Sequence, residues 1–156
     1  MQKKQISIRR AGADDARAVH EIVLGALREI NARDYPASVI DRLASTLPEK
    51  VASNLDRWHA FVAIVDGRIV GTASLSGHTV RSVFVHPDYQ RGGVATKLMG
   101  AVERAALAQS VRSLTVQSSI TAQPFYTRRG FNIVREEFYG EERTIIMSKA
   151  ISSAPD

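Results

Sequence analysis

The residues best suited to chemistry lie together in Val83-Phe84-Val85-His86-Pro87-Asp88-Tyr89-Gln90-Arg91-Gly92-Gly93-Val94-Ala95. Val83 to Val85 is β-branched and aromatic, which suits a strand interior. Pro87 removes a backbone donor and pushes His86 toward extended geometry, so regular structure pauses there. Gly92 and Gly93 give the backbone shapes that other residues resist and let a ligand approach closely. From Val94 the apolar spacing turns helical, through Leu98, Ala101, Val102 and Ala105. A glycine loop feeding a helix offers unpaired N–H groups and the positive end of the helix dipole, and both favour an anion. The spacing is neither that of a P-loop, which ends Gly-Lys-Ser/Thr, nor that of the three-glycine dinucleotide fingerprint. The implied chemistry is anion binding; the plain alternative is a glycine turn that only joins strand to helix.

The elements that must hold this loop belong to one domain, expected over residues 1–150, followed by a mobile polar tail over 151–156. Of the 156 residues, 44% are hydrophobic and 24% charged, the ordinary composition of a globular protein. No apolar run is long enough to span a bilayer, and Met1-Gln2-Lys3-Lys4-Gln5 leads into no hydrophobic region. A cytoplasmic protein with no membrane partner is therefore expected. The absence of cysteine excludes disulfides, thiolate metal sites and cysteine nucleophiles. The formal charge is +5, but Arg9-Arg10, Arg28, Arg91, Arg104 and Arg128-Arg129 are scattered over different segments. No zinc-finger spacing, ribonucleoprotein motif or helix-turn-helix accompanies them, so no nucleic-acid partner is expected. Such a field would still welcome a polyphosphate ligand.

In chain order, Ile6 to Arg10 alternates as a strand, and Gly12 serves as N-cap with Asp14 and Asp15 in the first helical turn. Val19, Ile22, Val23, Leu27 and Ile30 form the apolar stripe of the helix that follows. Asn31 to Pro36 ends it, a second helix runs from Ser38 through Leu43, and a third, short one starts at Pro48. Trp58–Val65 and Arg68–Leu75 are strands joined by the hairpin signal Asp66-Gly67, with Gly71 at a bulge or a close backbone approach. Thr79–Val85 is the central strand, Val94 to about Ala108 the crossover helix, and Leu114–Val116 the next strand. That makes a βαβ unit with parallel strands. Ala122–Arg129 is a short helix capped by Gly130, and Asn132–Glu137 and Arg143–Met147 close the chain as a strand pair.

Gln90-Arg91-Gly92-Gly93-Val94-Ala95 resembles the pyrophosphate loop of the GNAT superfamily of acetyltransferases, Q/R-x-x-G-x-G/A. Gln90, Gly93 and Ala95 stand at its defined positions, with Val85-x-Pro87 upstream. A second stretch, Ser119 to Phe131, resembles the family's C-terminal signature N-x-x-A-x-x-F-Y-x-x-x-G-F. Ala122, Phe125, Tyr126, Gly130 and Phe131 fall in register, and Ser119 replaces the usual Asn. In this reading Phe125 and Phe131 anchor the segment and Tyr126 aims its hydroxyl elsewhere. The element order βαα-βββ-α-β-α-ββ is also the family's. The resemblance therefore implies an α+β fold: a mixed, mostly antiparallel sheet flanked by helices, with a splayed parallel strand pair at the cofactor site.

What the resemblance implies chemically is transfer of an acetyl group from acetyl-coenzyme A to an amine by direct attack, without a metal. Backbone groups of Val83, Phe84 and Val85 would hold the pantetheine arm, with the Val83 N–H polarising the thioester carbonyl. Gln90, Arg91, Gly92, Gly93, Val94, Ala95 and Thr96 would hold the pyrophosphate, and Ser119 and Ala122 the arm beyond. Tyr126 is the candidate acid for the departing thiolate, since its reference pKa is about 10 against about 8.5 for a thiol. The loop Asn31-Ala32-Arg33-Asp34-Tyr35 offers Asp34 and Tyr35 to the acceptor, or is an ordinary helix-ending loop. No general base is assigned. Relatives carry a carboxylate or His on the central strand, but counting back by two from Val83 gives Arg81 and Thr79. His78, Glu137, Glu142 or a relayed water are the substitutes. The missing base keeps open a catalytically silent acyl-coenzyme A sensor, and the oligomeric state, a homodimer included, stays open too.

Overall fold

In the computed structural model, which describes residues 4–152, seven strands form one sheet. They are β1 (Ser7–Arg10), β2 (His59–Val65), β3 (Arg68–Ser76), β4 (Thr79–Val85), β5 (Ser113–Ser119), β6 (Asn132–Tyr139) and β7 (Glu142–Ala150). They lie in the order β1-β2-β3-β4-β5-β7-β6, and every neighbouring pair is antiparallel except β4 and β5, which run parallel. Five α-helices are added: α1 (Ala16–Glu29), α2 (Ala37–Ser45), α3 (Leu47–Arg57), α4 (Val94–Ala108) and α5 (Gln123–Arg128). This is the α+β arrangement expected from the residue pattern. Among the described residues no helix is long and apolar enough to cross a membrane.

The sheet separates two apolar cores. On one face α1, α2 and α3 pack Val19, Val23, Leu27, Val39, Ile40 and Val51 against Val62 and Phe84. On the other, α4 sets Val94, Leu98, Met99 and Val102 against Val70, Val80, Val85 and Leu114. The third helix is longer than expected: its apolar stripe continues from Leu47 and Val51 to Leu55, which extends it to Arg57. The strand after α4 is also longer than Leu114–Val116. Its buried alternation runs Leu114, Val116, Ser118, and the polar Ser118 disguises the third step. Before α1 a 3-10 turn (Ala13–Asp15) is tied down by Asp15, whose carboxylate accepts the Gly12 N–H at 2.8 Å and both Arg9 terminal nitrogens at 2.9 Å. At the far end Ile151 is buried and its N–H donates to the Arg112 carbonyl at 2.9 Å, while residues 153–156 of the expected tail lie outside the described residues.

Two bulges shape β3 and β4. Opposite β2, Gly71 and Ile69 face consecutive residues, Ala63 and Ile64, which leaves Val70 as an extra residue. Gly71 is also a close approach: a Cβ there would stand 2.8 Å from Val94 Cγ1 and 3.0 Å from Leu98 Cδ1. Thus α4 sits directly on bare backbone. In β4, Arg81 pairs with Ser74 and Phe84 with Thr72, so two residues, Ser82 and Val83, face Ala73 alone. Ser82 takes a left-handed φ of 52°, a conformation with a local steric cost of about 1 kcal/mol or more for a residue with a Cβ.

Candidate functional site

The parallel pairing of β4 with β5 is short. Thr79 faces Thr115 and Val80 faces Val116, and the ladder stops there, just before the bulge at Ser82. Beyond that point β4 remains paired only with β3. His86 N–H donates to the Val70 carbonyl at 2.8 Å, and alternation along an antiparallel ladder then turns the Phe84 backbone groups toward β3. Those of Val83 and Val85 face the opening toward β5. Val85 carbonyl is already engaged, accepting from Gln90 Nε2 at 2.7 Å. Of the three residues expected to present backbone, Val83 and Val85 do so, while Phe84 contributes its side chain to the α1–α3 core.

At the end of this opening lies the N-terminus of α4. Pro87–Tyr89 forms a 3-10 turn, capped by His86 Nδ1, which accepts the Asp88 N–H at 3.0 Å. The loop then takes a left-handed φ at Arg91 (62°) and at Gly93 (87°), not at Gly92. Gly93 is therefore the glycine that the backbone requires, and nothing stands within 4 Å of where its Cβ would be. Alternating φ signs of this kind gather backbone N–H groups around an anion. The first intrahelical bond of α4 runs from Lys97 N–H to Gly93 carbonyl at 3.0 Å, which leaves the N–H groups of Val94, Ala95 and Thr96 without helical partners. Gln90, Arg91, Gly93, Val94, Ala95 and Thr96 all line one open cleft of about 1370 Å³; Gly92 does not.

The second motif closes the cleft from the β5 side. Ser119 Oγ accepts the Ala122 N–H at 3.0 Å, so the residue standing for the family's Asn braces the turn into α5. The helix ends in a full Schellman motif: Phe131 N–H donates to Tyr126 carbonyl at 3.0 Å, Gly130 N–H to Thr127 carbonyl at 3.1 Å, and Gly130 takes φ 94°. Anchoring falls to Tyr126 and Phe131, both buried, whereas Phe125 is only half-buried. The Tyr126 ring meets both phenyl rings edge-on at 5.3 Å. Tyr126 lines the cleft, and among the described residues no group hydrogen-bonds its hydroxyl. Burial pushes this phenol well above its ordinary range.

The third wall comes from the segment after α1 together with α2, α3 and β7. Tyr35 is buried and ties it together: its hydroxyl donates to the Arg143 carbonyl at 2.6 Å and accepts the Ile120 N–H at 2.9 Å. Burial raises this phenol, against the opposing pull of the Ile120 N–H. Asn31 and Tyr35 line the cleft, while Asp34 stands outside it and accepts from Thr121 Oγ1 at 2.7 Å. Of the groups considered as bases, Glu142 lines the cleft but accepts from Arg42 Nη2 at 2.6 Å; His78 and Glu137 do not line it. Arg81 lies over the Trp58 ring, 5.5 Å from its centroid. The bulge explains why counting by two misplaces it: Val80 and Val83, three residues apart, share the α4 face, so Arg81 belongs to the other one. Trp58, Arg42 and Arg57 were not singled out from the sequence; the only signal was that Trp58 is the chain's single tryptophan. Among the described residues no three His, Asp or Glu side chains gather as metal ligands would.

Comparison with known proteins points the same way as this geometry. A family model described as an acetyltransferase (GNAT) domain matches residues 32–148. An uncharacterized N-acetyltransferase of Escherichia coli, YafP, is 31% identical over 132 residues, 85% of each chain. The crystal structure of a GCN5-related N-acetyltransferase from Rhodopseudomonas palustris superposes with a TM-score of 0.92 at 27% identity, covering 97% of this chain and 99% of that one. PaiA N-acetyltransferase from Thermoplasma acidophilum, solved in complex with coenzyme A, shares the fold with a TM-score of 0.79 at 16% identity over 94% and 99% of the two chains. With a splayed β4–β5 pair ending on the N-terminus of α4, and a family match over most of its length, the chain belongs to the GNAT acetyltransferase family.

Proposed function

We propose that the protein is an N-acetyltransferase that moves an acetyl group from acetyl-coenzyme A to a primary amine by direct attack. The observation that carries this reading is the opening between β4 and β5, which exposes strand backbone at one end and unpaired helix N–H groups at the other. These are the two features a pantetheine pyrophosphate needs: an extended partner for its amides, and a dipole end for its charge. When bound, acetyl-coenzyme A supplies the activated acetyl thioester.

The chain's own residues then do four things. Arg91 and the stretch from Gly93 to Thr96 hold the pyrophosphate, with Gly93 keeping the loop open. The Val83 N–H points into the gap where the thioester oxygen gains charge, an oxyanion-type contact. Tyr126 offers an O–H to the departing sulfur from a buried position. The wall of Tyr35, Asn31, Trp58 and Arg81 orients the amine, which contributes through proximity. No carboxylate or His of β4 stands ready to take the amine's proton, so an amine that arrives neutral or a relayed water fills that role. The absence of a base on β4 is also the one observation favouring a silent acyl-coenzyme A sensor of the same fold. Measuring free-thiol release from acetyl-coenzyme A against an amine panel separates the two: acceptor-dependent thiol release is expected, and coenzyme binding without any release would leave the sensor.

A further inference from the structure

Arg81 belongs to the wall that orients the amine, but the chemistry just described gives its charge no partner. Among the described residues no carboxylate lies within 4.0 Å of its guanidinium, and no hydrogen bond uses its donors; the same holds for Arg57 and Lys50 on the same cleft. The acidic groups of that wall are Glu49 and Glu142, and Glu142 is committed to Arg42 at 2.6 Å. The acceptor end therefore carries an excess of unspent positive charge. Trp58 holds the Arg81 head by a cation–π contact at 5.5 Å, which limits its conformers while leaving its N–H groups available.

We propose that the acceptor is a compact amine that also carries an oxyanion, a carboxylate or a phosphate, seated on the Arg81 fork. The proposal rests on the acetyltransferase reading of the cleft. Position adds the size limit. Across the bulge, Arg81 and Phe84 span only the two ladder steps from Ser74 to Thr72, roughly 6–7 Å. The Arg81 backbone therefore lies closer than that to Val83, and a compact amine with a nearby oxyanion fits between the Arg81 fork and the thioester end of the cleft. A planar guanidinium matches either oxyanion with paired hydrogen bonds. Polyamines and aminoglycosides are disfavoured by the same charges.

The test uses the full chain, acetyl-coenzyme A and matched amines: amino acids beside their carboxamides, phosphoethanolamine beside ethanolamine, and spermidine. At least one anionic member is expected to exceed its neutral partner by about tenfold or more in kcat/KM, and the better arm identifies the oxyanion. Arg81→Gln should erase that preference through KM while leaving the coenzyme-induced thermal shift unchanged, and Arg81→Lys should recover part of it. Neutral amines or spermidine matching the anionic ones, or a preference that survives in Arg81→Gln, overturns the proposal. If no amine releases thiol, calorimetric titration of the coenzyme complex with the same pairs decides. Anionic members binding more tightly, and losing that advantage in Arg81→Gln, sustains the anion site while the transfer reading falls; equal binding within each pair overturns the site.

Discussion

Tyr126→Phe removes one hydroxyl and keeps a ring that is held edge-on by Phe125 and Phe131 at 5.3 Å each. Because no group among the described residues bonds that hydroxyl, the fold should lose no more than about 1 kcal/mol, and coenzyme affinity should change little. The catalytic effect follows from acidity. A phenol near 10 donating to a thiolate near 8.5 is uphill by about 1.5 units, or roughly 2 kcal/mol, before burial raises the phenol further. In the proposed mechanism, therefore, the expected contribution of Tyr126 is a hydrogen bond to the leaving thiolate rather than early proton release. A hydrogen bond to a charged group is worth about 1.5–3 kcal/mol, which corresponds to a loss of roughly ten- to a hundredfold in kcat. The raised phenol also stays protonated across the working range, so wild type and variant should show the same pH profile below about pH 10. Single-turnover thiol release must accompany steady-state rates, because slow product release would mask the effect. Full single-turnover activity in a folded variant would reduce Tyr126 to a packed aromatic and remove the acid from the mechanism.

Gly93→Asp puts a carboxylate into the anion seat, in space that is open in the structure, and should erase the coenzyme-induced thermal shift, worth about 2.7 kcal/mol at a hundred times Kd. The apo protein should still melt cooperatively, and an unchanged shift would move the pyrophosphate elsewhere. Gly71→Ala forces a methyl to within 2.8 Å of Val94 and 3.0 Å of Leu98, so urea unfolding should show a loss of about 1–3 kcal/mol. Coenzyme affinity should fall with it, since Val94 opens α4; full stability would refute the close approach. Glu103→Gln removes the charge that pairs Arg129 at 3.1 Å and Lys149 at 2.7 Å in a mostly buried cluster, and should cost about 1–3 kcal/mol in urea titrations without changing kcat. The Arg9 hydrogen bond, against burial, holds Asp15 below its ordinary value. Its folded pKa being the lower one, its contribution is complete above the unfolded value of about 3.9 and is lost as pH falls through the folded one. The stability gap between wild type and Asp15→Asn should therefore narrow from pH 6 to pH 3, and a constant gap would show the pair to be silent.

The parts of the fold that local rules govern were legible from residues alone. Asp66-Gly67 reads as a hairpin turn and takes φ values of 50° and 75°. The crossover helix runs Val94–Ala108 as its apolar spacing indicates, because a glycine loop and a buried stripe define it at both levels. Gly130 takes the left-handed cap that its position after the short helix requires. Less legible were contacts made across long stretches of chain. Tyr35 bonds Ile120 and Arg143, 85 and 108 residues away, and no local pattern indicates that its hydroxyl braces the cleft. Asp34, its neighbour, points instead to Thr121 for the same reason.

The decisive miss lies in a single residue. Serine at position 82 carries no sequence signal for a left-handed bulge, since glycine or asparagine would be the expected type there. Yet this inserted residue changes which side chains share a face. With strict alternation Arg81 would accompany Val83 toward α4, where a guanidinium would be buried among apolar side chains such as Leu98, and Val80 would turn away from that core. With the bulge, Arg81 crosses to the wall of Trp58 and Tyr35, while Val83 keeps its backbone in the gap. The same insertion sits where β4 parts from β5, just past the Val80–Val116 pair. One strained serine thus marks the point where the gap between β4 and β5 opens and sets which side chains face the wall of Trp58, so the two halves of the cleft are coupled through the backbone of β4.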